Sequence, residues 1–414
     1  LPLLSFRFVR YTYFLGFFAI YLLPVQGKAQ HDSLKTIPVE KLPLTIKSPA
    51  NIRPILVLPI IARSIETGWS FGIASAATFH LKSRDTTVRT RATGGSSLEG
   101  QTSDLCADSA ILRQQHGPRT SNAQALALYT TRRQFVMALN GSIYFPGERF
   151  ILNEQLSYSS FPDNFWGLGK HAPDTSKESY KFKQYYIYLH PQFLVAKNLF
   201  FGVLYEYQRV FDIDYQTDGL FDQQDVPGRY GYHVSGFGLS VTYDTRNNAF
   251  SPDRGVMLQF SFDRFAPFFG SDYQYTNYVI DLRRFLRLFR RQVLALQIFG
   301  SFNAGETPLR SLSYLGGANL MRGYYAGRYR DKNAAVIQAE YRLPLFWRIG
   351  ATGFADMGNV GPELASINFH HFKYSYGGGL RIALNEKEKL NLRLDYGIAR
   401  GSSQGFYLQL GEAF

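Results

Sequence analysis

Chemistry would have to start from nucleophiles, bases and metal ligands, and this chain scatters them. Gly94-Gly95-Ser96-Ser97 has the glycines of a nucleophile turn, without the preceding strand and following helix that expose a serine to its base. His370 and His371 are adjacent. Neighbouring side chains on an extended chain point to opposite faces, so the two do not share a ligand. His80, His116, His190 and His233 stand apart from one another. Cys106 is the single cysteine, which excludes an internal disulfide, and no Cys/His spacing reads as a metal site. No residue set reads as catalytic and no cofactor is expected, so an enzyme is the last-ranked reading.

The elements that would position any site are strands. Gly 37, Tyr 28 and Phe 35 are high for a soluble protein, and aromatics make up 16% of the chain. A mean hydropathy of −0.18 argues against membrane helices, and no run of about 18 apolar residues follows the first 25 residues. A membrane barrel alternates lipid-facing and lumen-facing residues, so its mean hydropathy stays near zero. The net charge of +13 comes from Lys and Arg placed singly in turns and on polar strand sides. That scatter excludes a nucleic-acid stripe and suits contact with anionic lipid headgroups.

Leu390-Asn391-Leu392-Arg393-Leu394-Asp395-Tyr396-Gly397-Ile398 alternates throughout, its odd side polar or small and its even side apolar. Ser235–Tyr243 splits the same way, with Phe237, Leu239, Val241 and Tyr243 on one face, and Leu294–Gly300 repeats it with less contrast. Short connections are expected at 146–149, 196–198, 289–291 and 385–388, and long ones near 162–179, 213–229, 304–332 and 357–371. Short periplasmic turns alternating with long extracellular loops are the habit of outer-membrane barrels, and about sixteen strands fit the chain. Residues 91–120 have neither strand nor helix periodicity and read as a disordered insert or a gene-model artefact.

The N-terminus reads as a processing segment. Arg7 and Arg10 precede the apolar run 13–23, and Gly27-Lys28-Ala29 places small residues before a cleavage at Gln30. The expected organisation is a signal peptide over 1–29, a short periplasmic lead-in over 30–53, and a barrel over 54–414.

Two short strings carry a resemblance. Leu320-Met321-Arg322-Gly323-Tyr324 lies in a Gly- and Tyr-rich loop, and Gly353-Phe354-Ala355-Asp356-Met357-Gly358 ends an alternating strand. Between them runs Gln338-Ala339-Glu340-Tyr341-Arg342-Leu343-Pro344-Leu345, and the chain finishes on Phe414. In this order the pieces resemble the outer-membrane assembly and translocation barrels, also called the bacterial surface antigen family, which includes BamA, TamA and the two-partner secretion transporters. The lead-in is too short for a periplasmic POTRA domain, so the resemblance is to the branch lacking them.

The resemblance implies a transmembrane antiparallel up-and-down β-barrel, integral to the bacterial outer membrane, with a long extracellular loop folded into the lumen. It implies that Arg322, flanked by Gly323 and Tyr324, pairs there with Asp356. Glu340 and Arg342, taken as lying on adjacent faces of the preceding strand, are expected to contact the lumen. Tyr243–Gly255 resembles a family turn between two central strands and reads as structural. Phe406, Leu408, Leu410 and Phe414, taken as one face interrupted by Glu412, resemble the C-terminal signal read by the barrel-assembly machinery. The implied function is to assist insertion or translocation of proteins, with outer-membrane lipids, the assembly machinery and a further periplasmic or outer-membrane protein as partners. A passive or selective pore is the alternative.

Overall fold

The computed structural model describes residues 50–52, 56–64, 66–81, 119–386, 389–401 and 403–414. The expected signal peptide over 1–29, the expected lead-in up to residue 49, Ser96, Cys106 and the stretch 91–118 lie outside them.

Sixteen antiparallel strands follow one another in sequence order: β1 (Leu56–Ser64), β2 (Gly68–Leu81), β3 (Ser121–Thr130), β4 (Phe135–Tyr144), β5 (Phe150–Phe165), β6 (Glu178–Ala196), β7 (Leu199–Asp214) and β8 (Tyr232–Asp244). They continue with β9 (Gly255–Phe265), β10 (Tyr275–Arg287), β11 (Val293–Gly305), β12 (Asn333–Phe346), β13 (Ile349–Gly361), β14 (Lys373–Asn385), β15 (Leu390–Ala399) and β16 (Gln404–Leu410). Each pairs with its chain neighbours, and β16 lies beside β1, which gives the up-and-down barrel order. The segment Ala50–Ile52 extends the line of β1 along the end of β2, with Ile52 opposite Phe79. Among neighbouring barrel strands, β16 and β1 share the smallest contact.

The period-two pattern is what makes this sheet a membrane wall. On β8 Phe237, Leu239, Val241 and Tyr243 are exposed, whereas Ser235, Ser240, Thr242 and Asp244 are buried. Register carries the apolar band onto β9, where Phe260 faces Val241 and Leu258 faces Tyr243. The band goes on through Tyr278 and Ile280, Leu296 and Ile298, and Tyr374 and Tyr376. An apolar band around the whole outside would be costly in water and is what lipid covers. Exposed aromatics rim it at both ends, with Phe289 and Trp347 at the short-turn end and Phe268 and Tyr230 at the other.

Turns also follow composition. Glu148, Asn198, Arg291 and Trp347 take positive φ in the short connections, which two-residue and similar tight turns require. The strands run further than expected at the long-loop end, so the long connections are 166–177, 215–231, 306–332 and 362–372. Both the start of β1 and the end of β16 lie at the short-turn end.

Candidate functional site

The connection 306–332 folds into the barrel. Its stem is a small hairpin in which Ser313, Tyr314 and Leu315 pair with Asp331, Arg330 and Tyr329. Asn303 on β11 fastens that stem, its Nδ2 donating to Ser313 Oγ at 3.1 Å and to the Lys332 carbonyl at 2.8 Å. Beyond the stem the chain descends through Leu320, Met321 and Tyr324, all buried against Val336 and Val360 of the wall. It also reaches the opposite wall. Tyr325 Oη donates to Asp163 Oδ1 on β5 at 2.8 Å, Arg310 Nη1 donates to Asp163 Oδ2 at 2.9 Å, and the Ala326 amide donates to Glu66 Oε1 at 3.1 Å.

The tip is built on two close backbone approaches. Gly323 sits at φ +109°, and a Cβ there would lie 2.8 Å from the Ile398 carbonyl carbon. Opposite it on β15, a Cβ on Gly397 would lie 2.6 Å from the Arg322 carbonyl carbon. Only glycine permits both the left-handed φ and this separation. The Gly323 amide donates to Tyr407 Oη at 3.0 Å and its carbonyl accepts from Ser403 Oγ at 2.8 Å, so the tip is tied to β16 and the turn before it.

Arg322 has no exposed surface. Its Nη1 donates to Glu340 Oε2 at 2.7 Å and to Asp395 Oδ2 at 2.8 Å, and its flat face lies 3.5 Å from the centre of the Phe354 ring. Asp356, the partner expected from the sequence, is 3.9 Å from Nη2, beyond hydrogen-bond range. Its Oδ2 accepts from Ser375 Oγ at 3.4 Å. Glu340 and Arg342 share the lumen face rather than adjacent faces, since residues two apart on a strand point the same way. Arg342 Nε donates to Glu340 Oε1 at 2.8 Å.

The cluster is larger than the motif residues. Arg381 Nη1 donates to Asp395 Oδ1 at 2.6 Å and its Nε to Glu412 Oε2 at 2.7 Å. Arg393 Nη2 donates to Asn319 Oδ1 of the loop at 2.8 Å. Arg322, Arg342, Arg381 and Arg393 are thus balanced by Glu340, Asp356, Asp395 and Glu412. These groups come from the loop, from β12 to β15 and from the segment after β16. Sequence reasoning left out Arg381, Arg393, Asp395 and Glu412 as network members. For Arg381, Arg393 and Asp395 the signal was charge at inward-facing strand positions, whereas Glu412 follows the last strand and had none.

The C-terminal residues differ from expectation. Phe406 is exposed on the outer face, and Leu408 and Leu410 follow it by alternation. Gly411 then adopts φ +84°, which breaks the period. Phe414 turns inward, packing with Phe285 and Ala295 of the barrel interior, and its carbonyl accepts from Arg342 Nη2 at 3.1 Å. The four residues therefore do not form one face.

The turn between β8 and β9, residues 245–254, crosses the same end of the barrel. Phe250 packs with Ala76 of β2 and Leu390 of β15. Ser251 Oγ donates to Glu412 Oε1 at 3.3 Å, and Lys389 Nζ donates to Asp253 Oδ2 at 2.5 Å. The loop 306–332 enters the lumen from the long-loop end, and this turn and the inward tail enter it at the short-turn end.

Histidines serve walls and loops. His190 Nε2 lies 2.6 Å from Ser240 Oγ inside the wall, and His371 Nδ1 lies 2.8 Å from Asn368 Oδ1 in a loop. Among the described residues no group of three His, Cys, Asp or Glu side chains is placed to hold a metal.

The Omp85 superfamily domain matches residues 121–414. This chain belongs to the Omp85 superfamily and is a barrel integral to the bacterial outer membrane. Its fold is similar to CdiB from Escherichia coli, with a TM-score of 0.52 at 10% identity, over 89% of this chain and 61% of that one. BamA from Haemophilus ducreyi lacking POTRA domains 1–3 matches at TM-score 0.49 and 13% identity, over 87% of this chain and 69% of that one. CdiB from Acinetobacter baumannii matches at TM-score 0.49 and 12% identity, over 87% of this chain and 60% of that one. The chain thus spans about three fifths of the CdiB chains it matches. No curated protein matches the sequence.

Proposed function

We propose that this barrel assists the insertion or translocation of proteins at the outer membrane, and that the described state is its closed resting form. The observation that carries the reading is the clasp on Arg322. A loop entering from one end presents a single buried cation to Glu340 on β12 and Asp395 on β15. Arg322, Gly323 and Tyr324 form the loop's anchor in this reading, with Glu340 and Asp395 as its main partners and Asp356 as a lesser one. Such a clasp lets the last strands of the barrel and the loop move as a unit when a substrate or partner protein engages the short contact between β1 and β16. A permanently open pore fits less well, because the 306–332 loop and the side chains it meets occupy the lumen.

Reconstitution tests this. Liposomes carrying the protein should speed the folding or passage of an unfolded outer-membrane substrate relative to empty liposomes, and Arg322→Ala should change that rate. A steady, selective ion current with no effect on any protein substrate would support the pore instead.

A further inference from the structure

We propose that the long-loop end of the barrel carries a binding site for a phosphorylated sugar, whether free or as the headgroup of a glycolipid. A cavity of about 250 Å³ opens there, between the lumen loop, the 166–177 connection and the β3–β4 and β15–β16 turns. Four cations line it. Arg132 comes from the turn between β3 and β4, Lys177 from the 166–177 connection, Arg328 from the lumen loop and Arg400 from the turn between β15 and β16. The single acid in the lining is Asp174, so the walls carry an excess of positive charge.

Arg328 gives the site its floor. Its residue surface is 6% exposed, and Nη1 is buried without a hydrogen-bond partner among the described residues. Nε and Nη2 donate to Asp174 at 3.0 and 2.5 Å and Nη2 also to the Ala172 carbonyl at 2.8 Å, but that carboxylate is 75% exposed, so solvent screens the pair. Arg132, Lys177 and Arg400 are exposed, with charges free to close on an incoming dianion, and a guanidinium offers a fork that matches phosphate oxygens. Trp166 and Tyr325 supply apolar ring surface in the same lining and pack edge to face at 5.0 Å. Flat apolar walls beside a cationic floor suit a sugar ring bearing a phosphate better than a bare ion. The volume suits one monosaccharide unit and excludes a folded peptide.

The inference does not depend on whether the barrel inserts or translocates proteins. Trp166 reports on it directly, because Trp69 faces outward from β2 and Trp347 is exposed at the short-turn end. A Trp69→Phe/Trp347→Phe variant leaves Trp166 as the fluorophore. In detergent, glucose 6-phosphate should change its fluorescence saturably, at lower concentration than either inorganic phosphate or glucose. In phosphatidylcholine vesicles, a phosphorylated glycolipid should do the same and its dephosphorylated form should not. A response in the first arm assigns a free ligand and a response in the second alone assigns a headgroup. Either supports the site. Arg132→Ala with Arg400→Ala should raise the half-saturating concentration by roughly tenfold or more, as expected on losing charge-assisted hydrogen bonds. Heat-modifiability on gels checks that this variant folds, and Lys177→Ala, from a separate loop, serves if it does not. No phosphate-dependent response in either arm would overturn the proposal, as would a response no stronger than that to inorganic phosphate or one unmoved by the substitutions.

Discussion

Removing the Arg322 guanidinium would leave Glu340 and Asp395 facing each other across the loop tip with less positive charge to compensate them. Breaking a buried pair by deleting one partner typically costs about 3–5 kcal/mol, and the remaining Arg342 and Arg381 contacts reduce that cost here. Arg322→Ala should therefore lower the temperature at which the barrel loses heat-modifiability. Arg322→Lys should rescue little, because one ammonium cannot reproduce a fork that spans two carboxylates. Glu340→Gln and Asp395→Asn should each lower it more than Asp356→Asn, since Asp356 stands 3.9 Å from the guanidinium. Equal losses for all three acids would show that the described geometry is not the one in the membrane. Combining Arg322→Ala with Glu340→Ala should cost less than the sum of the two, because they act on the same contact. Gly323→Ala should also destabilise, since the new methyl would meet the β15 backbone. The sequence made Arg322 and Gly323 legible through their motif. It did not make Asp395 legible as the partner, because which inward-facing acid meets the tip depends on how far the loop descends and on three intervening strands. The expected Asp356 is an ion-pair neighbour of Arg322 at 3.9 Å, and the two hydrogen-bonded carboxylates are Glu340 and Asp395.

At the scale of elements, the strands were legible because lipid on one side and a polar lumen on the other impose strict alternation, as on β8 and β15. Extrapolating that alternation past β16 misplaced Phe414, since a single glycine at positive φ ends the period at residue 411. The 245–254 turn looked structural from its Asn, Pro and Gly content, and nothing in it signalled that Phe250 would cross to β2 and β15. Asp253 reports on that crossing. Burial alone would raise its carboxyl, but Lys389 and Arg287, each 2.5 Å away, hold it below the usual aspartate value. A depressed acid stabilises the fold above its unfolded pKa of about 3.9, and that contribution is lost as pH falls through the lower folded value. Wild-type protein should lose thermal stability over this acid range more steeply than Asp253→Asn, which lacks the increment at any pH. Parallel pH profiles for the two would mean that the turn is not held by these ion pairs in solution.

Over the whole molecule, sixteen strands among the described residues, an outer apolar band and an occupied interior describe a wall curved around its own loop. The composition made the membrane location readable, because aromatics and glycine are high while no helix-length apolar run follows the N-terminal segment. It could not show how the lumen is occupied, which depends on contacts between residues as distant in sequence as Tyr325 and Asp163, or Ser251 and Glu412. Single-channel recording in planar bilayers tests the closed, loop-clasped state most directly. Wild-type protein should show little steady current with brief openings, whereas Arg322→Ala, and more so removal of the tip at 318–326, should give a larger and longer-lived conductance. A large, stable wild-type conductance that neither change alters would contradict the account.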